Sequence, residues 1–262
     1  MIEQVKQIVR EASGIMEHAG RIAENTMAKE GTANFVTKYD LEVQKFLMER
    51  LAAAFPGCRF IGEEAGCDAN PVERGLTFII DPIDGTTNFI CGFQYSAISV
   101  GVVLDGEIVG GVVYNPFRNE MFWAEKGRGA YLNDTRLQPK DGPLSSSVVI
   151  FGTAPYRPEL RDDAFRLARA ISDHTMDLRE PGTASLSICY VAAGRCAAYY
   201  SPQLCVWDYA GAAALLQEVG ARFVRGDGRG ALNFASKVPF LAGMPSAVEE
   251  FLRVERETLD RD

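Results

Sequence analysis

Ile79-Ile80-Asp81-Pro82-Ile83-Asp84-Gly85-Thr86-Thr87-Asn88-Phe89 is the stretch on which the reading of this chain turns. An apolar run, Thr77 to Ile80, reads as a sheet-core strand that delivers two aspartates at its C-terminal end. Pro82 and Gly85 then force a tight turn. Strand ends are where α/β sheets place their chemistry. Two carboxylates three residues apart can converge on a hard cation, which takes oxygen ligands and accepts backbone carbonyls such as that of Ile83. An Asp-Pro-x-Asp-Gly turn that merely caps a helix uses the same residue types. The segment alone does not separate the two readings.

Two further acidic sites favour the cation. Glu63-Glu64 follows the short apolar run Phe60-Ile61, and Asp208 opens an Ala-rich helix in Trp207-Asp208-Tyr209-Ala210-Gly211. Taken singly, Asp208 is a plain helix cap and Glu63-Glu64 a solvated pair. Together, carboxylates at three separate element ends suggest an all-oxygen site, which suits magnesium or manganese better than zinc. Only two histidines, His18 and His174, are present, and both read as solvated. The six cysteines (Cys58, Cys67, Cys91, Cys189, Cys196, Cys205) show no CxxC pair and no zinc spacing. They read as reduced thiols packed like small hydrophobes.

Over 262 residues, 47% hydrophobic, Lys and Arg total 27 against 35 for Asp and Glu, a net charge of −8. Collagenous, disordered and disulfide-stapled classes are excluded. A nucleic-acid coat would need a basic footprint that this chain lacks, so no nucleic-acid partner is expected. No run approaches a membrane span, and the charged N-terminus lacks the apolar block of a signal peptide. The expected location is the cytoplasm, with no membrane partner.

Outward from the opening stretch, apolar spacing predicts one amphipathic helix over residues 2–28 and a second from about Lys38 to Pro56-Gly57. A β-hairpin joins Ile98–Val103 to Ile108–Tyr114 through Asp105-Gly106, and further strands cover Glu120–Ala124 and Ala130–Leu132. Beyond residue 140 the pattern alternates: strands at Val148–Phe151, Ala197–Tyr200, Arg222–Val224 and Phe234–Ala242, and helices at 159–171, 183–193, 208–219 and 246–257. The expected organisation is an α+β lobe over 1–140, carrying most metal ligands, and an α/β lobe over 141–262 with the last acid and the substrate contacts.

The ordered set Gly62-Glu63-Glu64, Asp81-Pro82-Ile83-Asp84-Gly85-Thr86-Thr87-Asn88-Phe89 and Trp207-Asp208-Tyr209-Ala210-Gly211 resembles the inositol monophosphatase family of magnesium-dependent phosphatases. The likeness extends to Phe35–Asp40, Gly127–Ala130 and Gly182-Thr183-Ala184. It implies a layered αβαβα fold, a homodimer, and hydrolysis of a small-molecule phosphate ester with two to three Mg²⁺ ions, Mn²⁺ being a substitute. It places Glu63, Asp81 and the Ile83 carbonyl on one ion, and Asp81, Asp84 and Asp208 on a second. Asp40 and Thr86 would orient and deprotonate the attacking water, with Glu64 near the weaker ion. Asp84, Gly85, Thr86, Ala184, Ser201 and Asp208 would meet the substrate. Lys29 and Thr153 align with further family positions. Relatives that grip inositol carry a glutamate where this chain has Ser201, and a serine accepts hydrogen bonds less strongly. Inositol 1-phosphate is the leading substrate. Fructose 1,6-bisphosphate or a nucleotide 3′-phosphate on the same scaffold is the alternative, and a regulatory binding protein a more distant one.

Overall fold

Helices α1 (Ile2–Glu17) and α2 (Lys38–Ala54) cover one face of a seven-stranded sheet, with the antiparallel pair β1 (Thr26–Ala28) and β2 (Phe35–Thr37) between them in sequence. The computed structural model describes residues 1–29, 35–64, 74–225 and 237–259. In the sheet, β3 (Arg59–Gly62) runs parallel to β4 (Leu76–Asp84). The short helix α3 (Thr86–Ile90) follows β4. Strands β5 (Ala97–Leu104), β6 (Glu107–Asn115), β7 (Glu120–Glu125), β8 (Gly129–Leu132) and β9 (Thr135–Arg136) then add antiparallel, in chain order. The expected hairpin closes at Asp105-Gly106, both at positive φ (50° and 82°), as a tight two-residue turn demands.

The second sheet has five strands in the order β11-β10-β12-β14-β13. These are β10 (Val149–Phe151), β11 (Leu178–Arg179), β12 (Ala198–Leu204), β13 (Arg222–Arg225) and β14 (Val238–Gly243). Helices α5 (Ala184–Ala192) and α6 (Val206–Glu218) lie between the sheets, and α4 (Arg161–Ser172) and α7 (Pro245–Leu259) cover the outer face. The period-2 alternation of strands sorts the cores. Phe78 and Ile80 pack under α1 and α2, whereas Ile79 packs with α5 and α6. Tyr199 and Phe240 face that same middle layer, while Tyr200 and Leu241 face α4 and α7. The result is the five-layer αβαβα arrangement that the family resemblance implies.

Glycines set how closely α6 approaches the first sheet. A Cβ on Gly111 would sit 2.0 Å from the Gly211 carbonyl oxygen, and one on Gly101 would sit 2.7 Å from Ala210 Cβ. The Ala-Gly of the Trp-Asp-x-Ala-Gly run is therefore the contact that seats α6, one turn after Asp208.

Three expectations need correction. The helix drawn over 2–28 ends at Glu17. Arg21 adopts a left-handed conformation (φ 51°), followed by a 3-10 turn at Ile22–Asn25 and then β1. The apolar period ran on because Ala19 and Ile22 pack on the same core as α1. The helix assigned to 208–219 begins at Val206, and the last strand begins at Val238; residues 234–236 of that expectation lie outside the described residues. The short strands β1, β2, β9 and β11 had no apolar run long enough to announce them. The five described cysteines are free thiols, with Cys189 and Cys196 buried; Cys67 lies outside the described residues. Among the described residues no helix is long and apolar enough to cross a membrane.

Candidate active site

A cavity of about 270 Å³ opens where β4 ends, with Glu63, Asp81, Asp84 and Asp208 on its wall. In a regular strand Asp81 and Asp84, three apart, would face opposite sides. They do not, because β4 carries one extra residue: Asp81 pairs with Ser99 but Asp84 with Ala97. That bulge re-aims the second side chain. Gly85 then breaks the strand at φ 85°, where a Cβ would also strike Thr183 Oγ1 at 2.5 Å. Asn88 ties this corner to the second half of the chain, donating to the carbonyls of Tyr95 (2.9 Å) and Pro181 (2.7 Å).

Each acid is held by a local device. The Gln44 amide clamps the Glu64 backbone with two 3.1 Å hydrogen bonds, so α2 fixes the Glu63-Glu64 corner. Lys29 Nζ pairs with Glu63 Oε1 at 3.0 Å and also with Glu64. The Asp84 carboxylate accepts from the N-terminus of α5: Ala184 N at 3.1 Å, Ser185 N at 2.6 Å and Ser185 Oγ at 2.5 Å. Asp208 is the third residue of α6 and accepts from Cys205 N at 2.6 Å, so it caps the helix from its third position, Cys205 being the N-cap, while lining the cavity. Asp81 differs. It is 2% exposed, and its Oδ1 is buried with no hydrogen-bond partner among the described residues.

Asp40 is placed by a capping box at the start of α2. Its Oδ2 accepts from Thr37 N (2.8 Å) and Thr37 Oγ1 (2.6 Å). That leaves Oδ1 to accept from Thr86 Oγ1 at 3.2 Å. The Thr86 hydroxyl also lies 3.1 Å from the Ile83 carbonyl. Burial pushes the Asp40 pKa up, against the Thr37 hydrogen bonds that lower it.

Crowded acids shift one another. Asp81 and Asp208 are pushed well above the usual carboxylate range, first by loss of hydration and then by the neighbouring carboxylates. Asp84 is raised to about 6 by burial, although the α5 donors oppose this. Burial raises Glu64 too, with Lys29 working against it. Burial lowers the Lys29 pKa, but Glu63 and Glu64 outweigh it and the net shift is upward. Among the described residues no three acids close round a common point; Lys29, Ser185 and Cys205 N engage oxygens of Glu63, Asp84 and Asp208. The donor set nonetheless fits a hard divalent cation. It is all oxygen, strongly anionic, and includes the buried unpartnered Asp81 Oδ1.

A pH effect follows with a definite sign. Asp84 has an ordinary pKa of 3.8 and one of about 6 in the fold. Between those values the folded chain keeps a proton that the unfolded chain has released, so stability falls as pH rises through this window. We expect the EDTA-treated protein to melt higher at about pH 5 than at about pH 7.5, with millimolar Mg²⁺ closing the gap. A melting temperature in EDTA that rises over that window would contradict the assignment.

Of the other residues singled out from sequence, Ile83, Gly85, Thr86 and Lys29 line the cavity, whereas Ala184, Ser201, Thr153, Asp40 and Glu64 do not. Ser201 is 3% exposed and donates to the Gln203 carbonyl at 3.1 Å. Thr153 donates to Glu180. The wall contains residues to which sequence reading gave no role: Phe35, Tyr156, Cys205, Trp207 and Lys237. Phe35 and Trp207 lay inside motifs that were noticed. Tyr156 and Lys237 stood in none, and only the fold brings them here. Burial and Asp208 push the Cys205 thiol up to about 12, so it stays protonated at neutral pH.

A five-layer αβαβα chain whose strand β4, next to the edge of the larger sheet, ends in an acid cavity beside a hydroxyl–carboxylate pair defines the class. The inositol monophosphatase family matches residues 1–256, and the chain belongs to that family, whose members are phosphatases. It is 34% identical over 259 residues to inositol-1-monophosphatase of Bacillus subtilis, covering 97% of each chain. Its fold superposes with a TM-score of 0.89 on the extragenic suppressor protein suhB of Bartonella henselae, at 28% identity over 98% of each chain. With the inositol monophosphate-bound structure of SaIMPase-II the TM-score is 0.83 at 25% identity, covering 99% of this chain and 96% of that one.

Proposed function

We propose that the protein is a magnesium-dependent phosphomonoesterase that hydrolyses inositol 1-phosphate to inositol and inorganic phosphate, working as a cytoplasmic homodimer like the family it resembles. The observation that carries the reading is Asp81: a buried carboxylate oxygen without a partner, amid three further acids and beside the Thr86–Asp40 pair. The names of the Bacillus relative and of the inositol monophosphate-bound structure support the substrate.

Glu63, Asp81, Asp84, Asp208 and the Ile83 carbonyl are the groups to hold the divalent cations. When bound, such cations neutralise phosphoryl charge and acidify an attacking water. The chain's own groups do the rest. Gly85, Thr86 and Thr87, at the start of α3, line the cavity, and their backbone N–H groups are the proposed donors to the phosphate oxygens. Thr86 Oγ1 accepts from the water while donating to Asp40, and Asp40 Oδ1 takes up the proton. The water oxygen bonds to phosphorus as the phosphorus–inositol oxygen bond breaks, and the departing oxygen takes a proton from bulk water, to which Asp40 later returns its own. Lys29 and Glu64 keep Glu63 turned inward.

Phosphate release from inositol 1-phosphate is expected with Mg²⁺ and is abolished by EDTA. Asp84→Asn should lose more than about a hundredfold, beyond the range for a mere outer partner of a metal site. Undiminished turnover in EDTA, or in Asp84→Asn, would refute the metal-dependent reading. Fructose 1,6-bisphosphate and a nucleotide 3′-phosphate belong in the same assay, because Ser201 offers no carboxylate to inositol hydroxyls.

A further inference from the structure

The phosphate half of the cavity is accounted for by acids and backbone N–H groups; the alcohol half is not. The position expected to grip ring hydroxyls, Ser201, is withdrawn from it. Gly152 covers Ser201 so closely that a Cβ there would lie 3.1 Å from Ser201 Oγ and 3.2 Å from its Cβ. The Ser201 hydroxyl is spent on the Gln203 carbonyl. In its place the wall presents aromatic side chains, Phe35, Tyr156 and Trp207.

Tyr156 stands out among them. It is 50% exposed, a large aromatic left at a cavity mouth. The segment that carries it is braced at both ends. Gly152 N donates to the Tyr200 carbonyl at 2.7 Å, and Arg157 Nη1 donates to Gln203 Oε1 at 2.8 Å. Between them Ala154 is held in the left-handed region at φ 46°, with Arg157 N donating to its carbonyl at 2.9 Å. A non-glycine residue stays in that region only where its surroundings over-determine it. Both braces converge on β12, the strand that leads into Asp208. The backbone that carries Tyr156 is therefore fixed relative to the acid cluster; burial first, and then those acids, raise its phenol pKa and keep it neutral.

We propose that the alcohol half of the substrate is recognised by aromatic faces rather than by a carboxylate, with Tyr156 as the specificity-determining residue. The substrate class is then phosphate monoesters of ring alcohols, whose C–H faces stack on the Tyr156 ring. Apolar and aromatic lining with few polar groups is the usual way a pocket reads the body of a small ligand. The inference rests on the phosphatase reading above and deepens it.

The test compares kcat and KM for inositol 1-phosphate, a ring ester, with glycerol 2-phosphate, an acyclic ester of a secondary alcohol, in the Mg²⁺-loaded enzyme. Tyr156→Ala should raise KM for the ring ester about tenfold, the low end of what an apolar pocket contact discriminates, and leave kcat within about twofold. KM for glycerol 2-phosphate should not move. Tyr156→Phe, which keeps the face and removes the hydroxyl, should match the wild type on both. Equal KM changes for the two esters would overturn the inference, as would a Phe variant that behaves like the Ala variant. A melting temperature unchanged in both variants confirms that the fold is intact. A wild-type enzyme that cleaves neither ester would instead refute the phosphatase reading, and this inference with it.

Discussion

Gly111→Ala is expected to melt far below the wild type, and to lose activity with its structure. The added methyl carbon would stand 2.0 Å from the Gly211 carbonyl oxygen and 2.8 Å from its carbonyl carbon, both backbone atoms of α6. No rotamer change relieves a clash with backbone, so α6 must lift from β6 or the sheet must bend. Gly111 does not have a positive φ, so the penalty comes from the contact alone and not from backbone strain. Overpacking a tight core costs about 3 kcal/mol at the upper end of its usual range. For a chain of this size that is roughly 6–12 °C in melting temperature. Because α6 carries Asp208, even a folded remnant should lose turnover. Gly14→Ala in α1 is the matched control. Nothing lies within 4 Å of its added carbon, and removing a helical glycine should stabilise by about 0.5–1 kcal/mol. The same chemical change thus has opposite signs at the two sites. A Gly111→Ala protein melting within about 1 °C of wild type would refute the close-packing account.

What could be read from the sequence follows how local each signal was. The opening stretch was informative because its strand, its carboxylates and its glycine all lie within eleven residues. Its geometry was not readable, since the extra residue that brings Asp81 and Asp84 to one side exists only in the pairing with β5. Asp40 was assigned by resemblance, although Thr37-x-x-Asp40 carried a physical signal of its own. A capping threonine with an acid three residues later predicts a carboxylate with one oxygen tied down. The sequence offers Asp208 as a cap or a ligand; in the fold it closes the first turn of α6 from the third position and lies on the cavity wall. Tyr156 and Lys237 reach the cavity through tertiary structure alone: one lies within a braced loop, the other precedes β14. No periodicity or spacing marks such positions. The overrun of the first helix has the reverse cause, a real apolar period sustained by a 3-10 turn instead of by continued helix. The net charge of −8 looked unfavourable for an anionic substrate. Four of those acids lie on one cavity wall, so half of the net excess is gathered where the proposed cations would neutralise it.

That concentration of charge leads to the other large effect: Asp81→Asn should stabilise the metal-free protein while destroying the enzyme. Asp81 is the most embedded acid of the cluster, raised by loss of hydration and by Glu63, Asp84, Asp208 and Asp40 together. Among the described residues its Oδ1 has no compensating hydrogen bond. An asparagine keeps the shape, removes one charge from the cluster, and offers an N–H to neighbouring carboxylates. In EDTA near pH 8 we expect the variant to melt about 3–6 °C higher than wild type, equivalent to about 1–2 kcal/mol. The advantage should shrink toward pH 5. There the raised pKa lets wild-type Asp81 and Asp84 take up protons and relieve the same repulsion. With Mg²⁺ the order should reverse, because wild type gains binding energy that the variant has lost. Turnover of inositol 1-phosphate should fall by at least about a thousandfold, more than loss of an outer partner of a metal site would produce. Such an exchange of activity for stability is what a site assembled for an ion, and strained without it, is expected to show. An Asp81→Asn protein that melts lower than wild type in EDTA at pH 8, or that keeps its Mg²⁺-induced rise in melting temperature, would show that Asp81 serves the fold and not the cation.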